Sequence, residues 1–139
     1  MRLYLDASLL VPLVVADAHT ARAFGLLQAE PGPHFVSEFG VLEVASALNR
    51  KVRTGELSPI ECASAKANLQ TWRAGSAERA ELTDIDITAA TGLLDDLALN
   101  LRGPDALHLA LVRRLGTPLA TFDIAMAEAA QRLGISVQI

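Results

Sequence analysis

The chain has 139 residues, 51% hydrophobic, 20% charged and 4% aromatic, with a formal net charge of −4. That length suits one core hiding about two-thirds of the unfolded chain's surface, and the composition is that of a packed fold built from aliphatic side chains and Ala. A broadly basic nucleic-acid-binding surface is excluded, and the single Cys62 excludes an internal disulfide or a cysteine zinc site and fits a reducing cytosol.

The opening stretch carries Asp6 and Asp17 without a basic leader, so it does not read as a signal peptide. Charges or Pro-Gly interrupt every apolar run before membrane-span length. A cytoplasmic protein with no membrane segment is expected. Arg2-Leu3-Tyr4-Leu5 reads as a short buried strand ending at Asp6. Ala7 to Val15 and Ala18 to Glu30 read as helices, and Pro31-Gly32-Pro33 breaks the chain. His34-Phe35-Val36 is a second strand, with Ser37 as N-cap of a helix from Glu38 to Arg53 that Thr54-Gly55 stops. Ser58-Pro59-Ile60-Glu61 is a capping box with Pro in the first turn, opening a helix to about Arg73 that Ala74-Gly75-Ser76 ends.

Arg79 to Ile85 is expected as a third strand, because Ala80 and Leu82 alternate with charged neighbours. Asp86 is expected to cap a helix to about Asn100, and Gly103-Pro104-Asp105 starts another that ends near Gly116. Pro118 to Thr121 is a fourth strand, Asp123 to Leu133 a helix stopped by Gly134, and Ile135 to Ile139 a closing strand. Strands separated by helices imply parallel pairing through right-handed crossovers. The expected fold is a three-layer α/β/α sandwich around a central parallel sheet of about five strands, with residues 1–139 as a single domain.

Ligands of open parallel sheets bind beyond the carboxyl ends of the strands. Asp6 ends the first strand, Asp123 follows the fourth, and Asp105 opens a helix; each also reads as an ordinary helix N-cap. Glu43 is the only charge between Glu38 and Arg50, so it must reach water, on a stripe with Phe39, Ser46 and Arg50, or be paired. Taken together, Asp6, Glu43, Asp105 and Asp123 are expected to face one crevice. Clustered carboxylates repel one another and are reconciled by hard divalent cations, and oxygen-only donors select Mg²⁺ or Mn²⁺ over zinc or copper. Such ions activate water and neutralise a scissile phosphate.

At these residues the sequence resembles the PIN-domain ribonucleases, in particular VapC-type toxins of toxin–antitoxin pairs. The resemblance runs along the whole chain: Leu5-Asp6-Ala7-Ser8, then Glu43 with Ala47-Leu48, then Asp105-Ala106-Leu107-His108-Leu109-Ala110 with Arg102 upstream, then Ala120-Thr121-Phe122-Asp123. It implies a PIN-like fold and a Mg²⁺- or Mn²⁺-dependent endoribonuclease leaving 5′-phosphate and 3′-hydroxyl ends. Asp6, Glu43, Asp105 and Asp123 would be its catalytic and metal-binding acids, with Ser8 and Thr121 as supporting hydroxyls. Implied partners are RNA, a small VapB-like antitoxin and a second copy of the chain in a homodimer, alone or within a larger toxin–antitoxin assembly. Some relatives carry a further acid shortly after the fourth; Ile124 to Ala127 offers none, and Glu128 lies far along the helix.

Arg50, Lys51 and Arg53 read equally as favourable charges at a helix C-terminus and as a grip on RNA phosphates. His108, three residues after Asp105, reads as a residue that locks the helix start, while Cys62 and Trp72 read as packing residues. Phe24, Leu26, Leu27, Val41 and Leu48 are candidate walls of a groove for an antitoxin helix, or simply core. The functional alternative is a catalytically silent PIN-fold protein-binding module. Receiver and haloacid dehalogenase-like readings fail, the first for want of a lysine after a late strand and the second because Ser8 stands where an Asp is needed.

Overall fold

A computed structural model describes all residues, 1–139. The chain runs β1 (Tyr4–Leu5), α1 (Ala7–Val14), α2 (Thr20–Ala29), β2 (His34–Ser37), α3 (Glu38–Arg53), α4 (Pro59–Ser76) and β3 (Ala77–Ala80). It continues with α5 (Asp84–Leu94), a 3-10 turn at Leu97–Leu99, α6 (Gly103–Leu115), β4 (Leu119–Ala120), α7 (Ile124–Arg132) and β5 (Val137–Gln138). The strands form one sheet in the order β3-β2-β1-β4-β5, and every pairing is parallel. The chain winds outward from β1 through β2 to β3, then returns to lay β4 on the other side of β1. The strand order therefore reverses between β1 and β4, which is where an open parallel sheet leaves a crevice at its carboxyl edge.

Successive strand residues face opposite sides of a sheet, and the core follows that rule. Leu3 and Leu5 join Leu9, Val36, Val44, Leu48, Leu69 and Ala120 in a cluster beneath α1 to α4. Tyr4 points the other way, with Leu109, Val112, Leu119, Met126 and Ala130 beneath α6 and α7. Small Ala side chains at 129 and 130 pack α7 in this cluster, while Ala106 and Ala110 of α6 pack against Ala90 of α5. No helix is long and apolar enough to cross a membrane.

Several boundaries differ from expectation. Helix α4 runs through Gly75 to Ser76 and passes straight into β3. A glycine inside a helix costs only about 1 kcal/mol, and all four β3 residues gain pairing with His34 to Ser37. The third strand therefore lies at Ala77–Ala80 and not at 79–85. Thr83, not Asp86, is the N-cap of α5; Asp86 is the third residue of the capping box and is buried, where Arg114 of α6 grips it with bonds of 2.7 and 2.9 Å. Helix α5 ends at Leu94 rather than near Asn100, and Asp96 caps the separate 3-10 turn by accepting from Ala98 N–H. Cys62 is buried in the core beneath α3 and α4, and Trp72 packs against the same cluster, both as expected.

Candidate active site

Strand β1 ends as α1 begins, and Asp6 is the joint between them. Its Oδ1 accepts from Leu9 N–H at 3.2 Å, so the N-cap reading is correct for Asp6. The same carboxylate does more than cap. Ser8 Oγ donates to Oδ1 at 2.7 Å, and Thr121 Oγ1, from the end of β4, donates to Oδ2 at 2.8 Å. Each hydroxyl has one proton and both are used on Asp6, while Ser8 Oγ accepts from Phe122 N–H at 2.8 Å. Asp6 is buried; burial raises its carboxyl above the ordinary value, and the Ser8 and Thr121 bonds act against that rise.

Asp123 follows β4 and caps α7, accepting from Met126 N–H at 3.1 Å. Its own N–H donates to Thr121 Oγ1 at 3.0 Å, so one threonine oxygen links Asp6 and Asp123. Asp105 is not a cap: Arg102 occupies that position, and Asp105 stands in the first turn of α6. Its carboxyl is raised above the ordinary value, first by burial and then by the negative charge of Asp123. The nearest cation is the Arg102 guanidinium, with Nε 3.8 Å from Asp105 Oδ2 and an 86% exposed side chain.

Glu43 lies in the second turn of α3 and is paired. His108 Nε2, from α6, is in hydrogen-bond contact with Glu43 Oε1. His108 Nδ1 contacts Tyr4 Oη at 2.7 Å, and Tyr4 Oη contacts Ser37 Oγ at 2.8 Å. His108 therefore joins the carboxylate region as a buried partner of Glu43, a role beyond locking the start of α6. The signal in the sequence is that His108 lies three residues after Asp105, on the same helical face, and that Tyr4 is the one hydroxyl-bearing residue of an aliphatic strand.

Asp6, Ser8, Glu43, Asp105, His108 and Asp123 line one cleft of about 260 Å³, with Arg102 at its wall. All four expected acids are thus brought to the crevice between β1 and β4. Thr121 supports them from beneath, fully buried. Arg50, Lys51 and Arg53 are not in the cleft. They sit at the far end of α3, about 10–15 Å along the axis from Glu43, and Lys51 pairs with Glu56 at 3.1 Å. Glu128 is exposed on α7 and does not line the cleft. Of the proposed groove residues, Leu48 is fully buried core, Leu26, Leu27 and Val41 are partly buried, and Phe24 is exposed. A larger hollow of about 490 Å³, between Leu27, His34 and Trp72, contains no carboxylate.

The acids share a cleft without converging: no group of three or more His, Cys, Asp or Glu side chains is set to hold an ion. The hydroxyl bonds of Asp6 and the His108 contact of Glu43 hold those carboxylates in their present positions. The donors themselves, carboxylates backed by hydroxyls, are those of a hard divalent cation. Burial raises both Asp6 and Asp105, and at Asp105 the negative charge of Asp123 adds to it.

The family model for the PIN domain matches residues 3–132. Among solved structures, VapC20 of Mycobacterium tuberculosis, a sarcin-ricin loop cleaving toxin, superposes with a TM-score of 0.72 at 20% identity, covering 91% of this chain and 94% of that one. A chain of VapBC2 from Rickettsia felis, solved with a DNA fragment from its promoter, gives a TM-score of 0.71 at 12% identity over 99% of this chain and 98% of that one. At these identities the likeness is one of fold. A search of curated protein sequences gives no match.

Proposed function

Since the chain belongs to the PIN domain family, we propose that it is a metal-dependent endoribonuclease and the toxin of a type II toxin–antitoxin pair. The observation that carries this reading is the meeting of Asp6, Glu43, Asp105 and Asp123 in one cleft at the point where the strand order reverses. Mg²⁺ or Mn²⁺, when bound, supplies positive charge for the scissile phosphate and a lowered pKa for attacking water. Asp6 and Asp105 are the principal ligands in this reading: one ends β1, the other stands in the first turn of α6, and both line the cleft. Asp123 completes the acidic wall, and Glu43, anchored at one oxygen by His108, orients water with the other. Ser8 and Thr121 fix the Asp6 carboxylate so that neither oxygen swings away.

Arg102, exposed at the cleft wall, is placed to meet a substrate phosphate. The same acidic cleft would accept an Arg or Lys from a VapB-like antitoxin, which neutralises the acids and blocks the cleft. Residues 1–139 act as a single domain in the cytoplasm, as a homodimer alone or within a larger toxin–antitoxin assembly. The deciding experiment incubates the purified chain with total RNA in Mg²⁺, in Mn²⁺ and in EDTA, beside Asp6→Asn. Metal-dependent cleavage that Asp6→Asn abolishes is expected. Cleavage that survives both EDTA and Asp6→Asn overturns the assignment, and RNA left intact in every condition favours a catalytically silent binding module.

A further inference from the structure

We propose that His108 is a positioning residue, which holds the Glu43 carboxylate in one orientation through a one-way chain of hydrogen bonds running from Ser37 through Tyr4. Its effect on cleavage rests on the nuclease reading above; its geometry does not.

The direction of the chain follows from counting protons. Ser37 Oγ accepts from Gly40 N–H at 2.9 Å, and its other hydrogen-bond neighbour is Tyr4 Oη at 2.8 Å. Ser37 is fully buried, so its single proton must go to Tyr4 Oη or remain without an acceptor. Tyr4 Oη then holds Ser37's hydrogen bond and directs its own proton to His108 Nδ1, 2.7 Å away. An Nδ1 that accepts leaves the imidazole proton on Nε2, facing Glu43 Oε1. Every proton in the series points toward the cleft. The reverse series, with a proton on Nδ1 donated to Tyr4, strands the Ser37 hydroxyl in the core. Burial raises the Tyr4 phenol above its ordinary range, which keeps it a donor.

The imidazole has no freedom to do otherwise. His108 is 2% exposed. The Phe39 ring lies tilted against it at 5.0 Å between centroids. Four elements, β1, β2, α3 and α6, thus fix one ring, and the ring presents one N–H. Glu43 is 31% exposed at the side chain and would otherwise sample several rotamers. With Oε1 tied to His108, Oε2 is the oxygen left for the cleft. A ring frozen by a second layer of partners is the arrangement that orients functional carboxylates and imidazoles generally.

The test begins with the metal-free, ¹⁵N-labelled full chain. Long-range ¹H–¹⁵N correlation spectra report which nitrogen of each imidazole carries the proton, and loss of signals in His108→Asn identifies the ring. The expected result is a bare Nδ1 and a protonated Nε2 in the wild type, giving way to a mixture in Tyr4→Phe. Tyr4→Phe keeps the ring packing and removes one buried hydroxyl that never reaches the cleft. On RNA, Tyr4→Phe should lower kcat by about tenfold, the lower end of second-layer effects, with KM unchanged. In a Glu43→Gln background the same substitution should cost less than about twofold, because the residue it acts through is gone. A wild-type imidazole protonated on Nδ1 overturns the proposal. So does a Tyr4→Phe protein whose imidazole spectrum and kcat match the wild type, or whose loss in kcat simply multiplies with that of Glu43→Gln. Should Tyr4→Phe fail to fold, the wild-type spectrum decides alone. A wild-type chain that cleaves no RNA counts against the nuclease reading and not against this one, since the spectra require no substrate.

Discussion

Thr121 Oγ1 donates to Asp6 Oδ2 at 2.8 Å and thereby ties the carboxyl ends of β4 and β1 together across 115 residues of chain. The same oxygen accepts the Asp123 N–H at 3.0 Å. One buried hydroxyl therefore sets the position of two acids at the place where the sheet changes direction. Substituting Thr121→Val keeps the side chain's size and removes both bonds. Cleavage should fall by about 10–100-fold, as for other groups that orient a metal-site carboxylate. The Asp6 carboxyl should titrate at higher pH than in the wild type, because one of the bonds that opposes burial has gone. Carboxyl ¹³C shifts followed through a pH series measure this directly; an unchanged Asp6 titration would show that Thr121 does not support it.

Asp105 allows a test of the cleft's charge without RNA. Its folded pKa is raised, by burial and by Asp123, above the ordinary 3.8. The folded chain therefore binds this proton more readily than the unfolded chain, and the ionised carboxylate disfavours folding once pH rises above the folded value. Asp105→Asn should accordingly be as stable as the wild type near pH 4 and more stable near pH 7, in metal-free buffer. Urea unfolding at the two pH values checks the sign. Millimolar Mg²⁺ or Mn²⁺ should erase the advantage by stabilising the wild type alone. A variant less stable than the wild type at pH 7 would mean that Asp105 has a structural partner.

The Asp86–Arg114 pair behaves in the opposite sense. Asp86 is 1% exposed, and its carboxyl is held below the ordinary 3.8 by the Arg114 guanidinium, with help from Thr83. Its contribution to stability is full above pH 3.8 and is lost as pH falls through the lower folded value. Arg114→Met leaves a buried carboxylate unpaired, a change that costs about 3–5 kcal/mol; the low end is expected because the arginine is 36% exposed. Chemical denaturation at pH 7 measures the loss, and the variant should show a weaker acid limb than the wild type. Its Asp86 carboxyl should also titrate higher.

Much of this was legible in the sequence, and the exceptions have physical causes. Helix α3 is bounded by Ser37 and Thr54-Gly55, which cap and stop it where expected, and α6 runs from Gly103 to a left-handed Gly116. Asp6, Asp105 and Asp123 mark element starts, so the topology alone carries them to one edge of the sheet. The third strand lies earlier than the alternation at Ala80 and Leu82 implies, because that local pattern is weaker than the pairing β2 offers to Ala77–Ala80. The Glu43–His108 contact spans 65 residues and two helices, and no local pattern encodes it. The same holds for Asp86, which local signals make a helix cap while its arginine lies 28 residues on.

The sequence offered Arg50, Lys51 and Arg53 as a grip on RNA, whereas the cleft wall carries Arg102. A cation that contacts a substrate phosphate releases counterions, so removing it weakens binding at low salt and flattens the dependence of affinity on salt. Arg102→Ala should raise KM for a short RNA by several-fold in low salt and reduce the salt slope by about one. Its kcat should change less, since the guanidinium is 86% exposed and lies beside Asp105 rather than over it. Arg50→Ala and Arg53→Ala remove charges at the far end of α3, which interact with the helix terminus. They should lower thermal stability slightly and leave the salt slope for a short RNA unchanged. KM measured between 50 and 200 mM salt for all three variants separates these outcomes. A slope that responds to Arg50 or Arg53 and ignores Arg102 would move the RNA path away from the α6 side of the cleft and along α3.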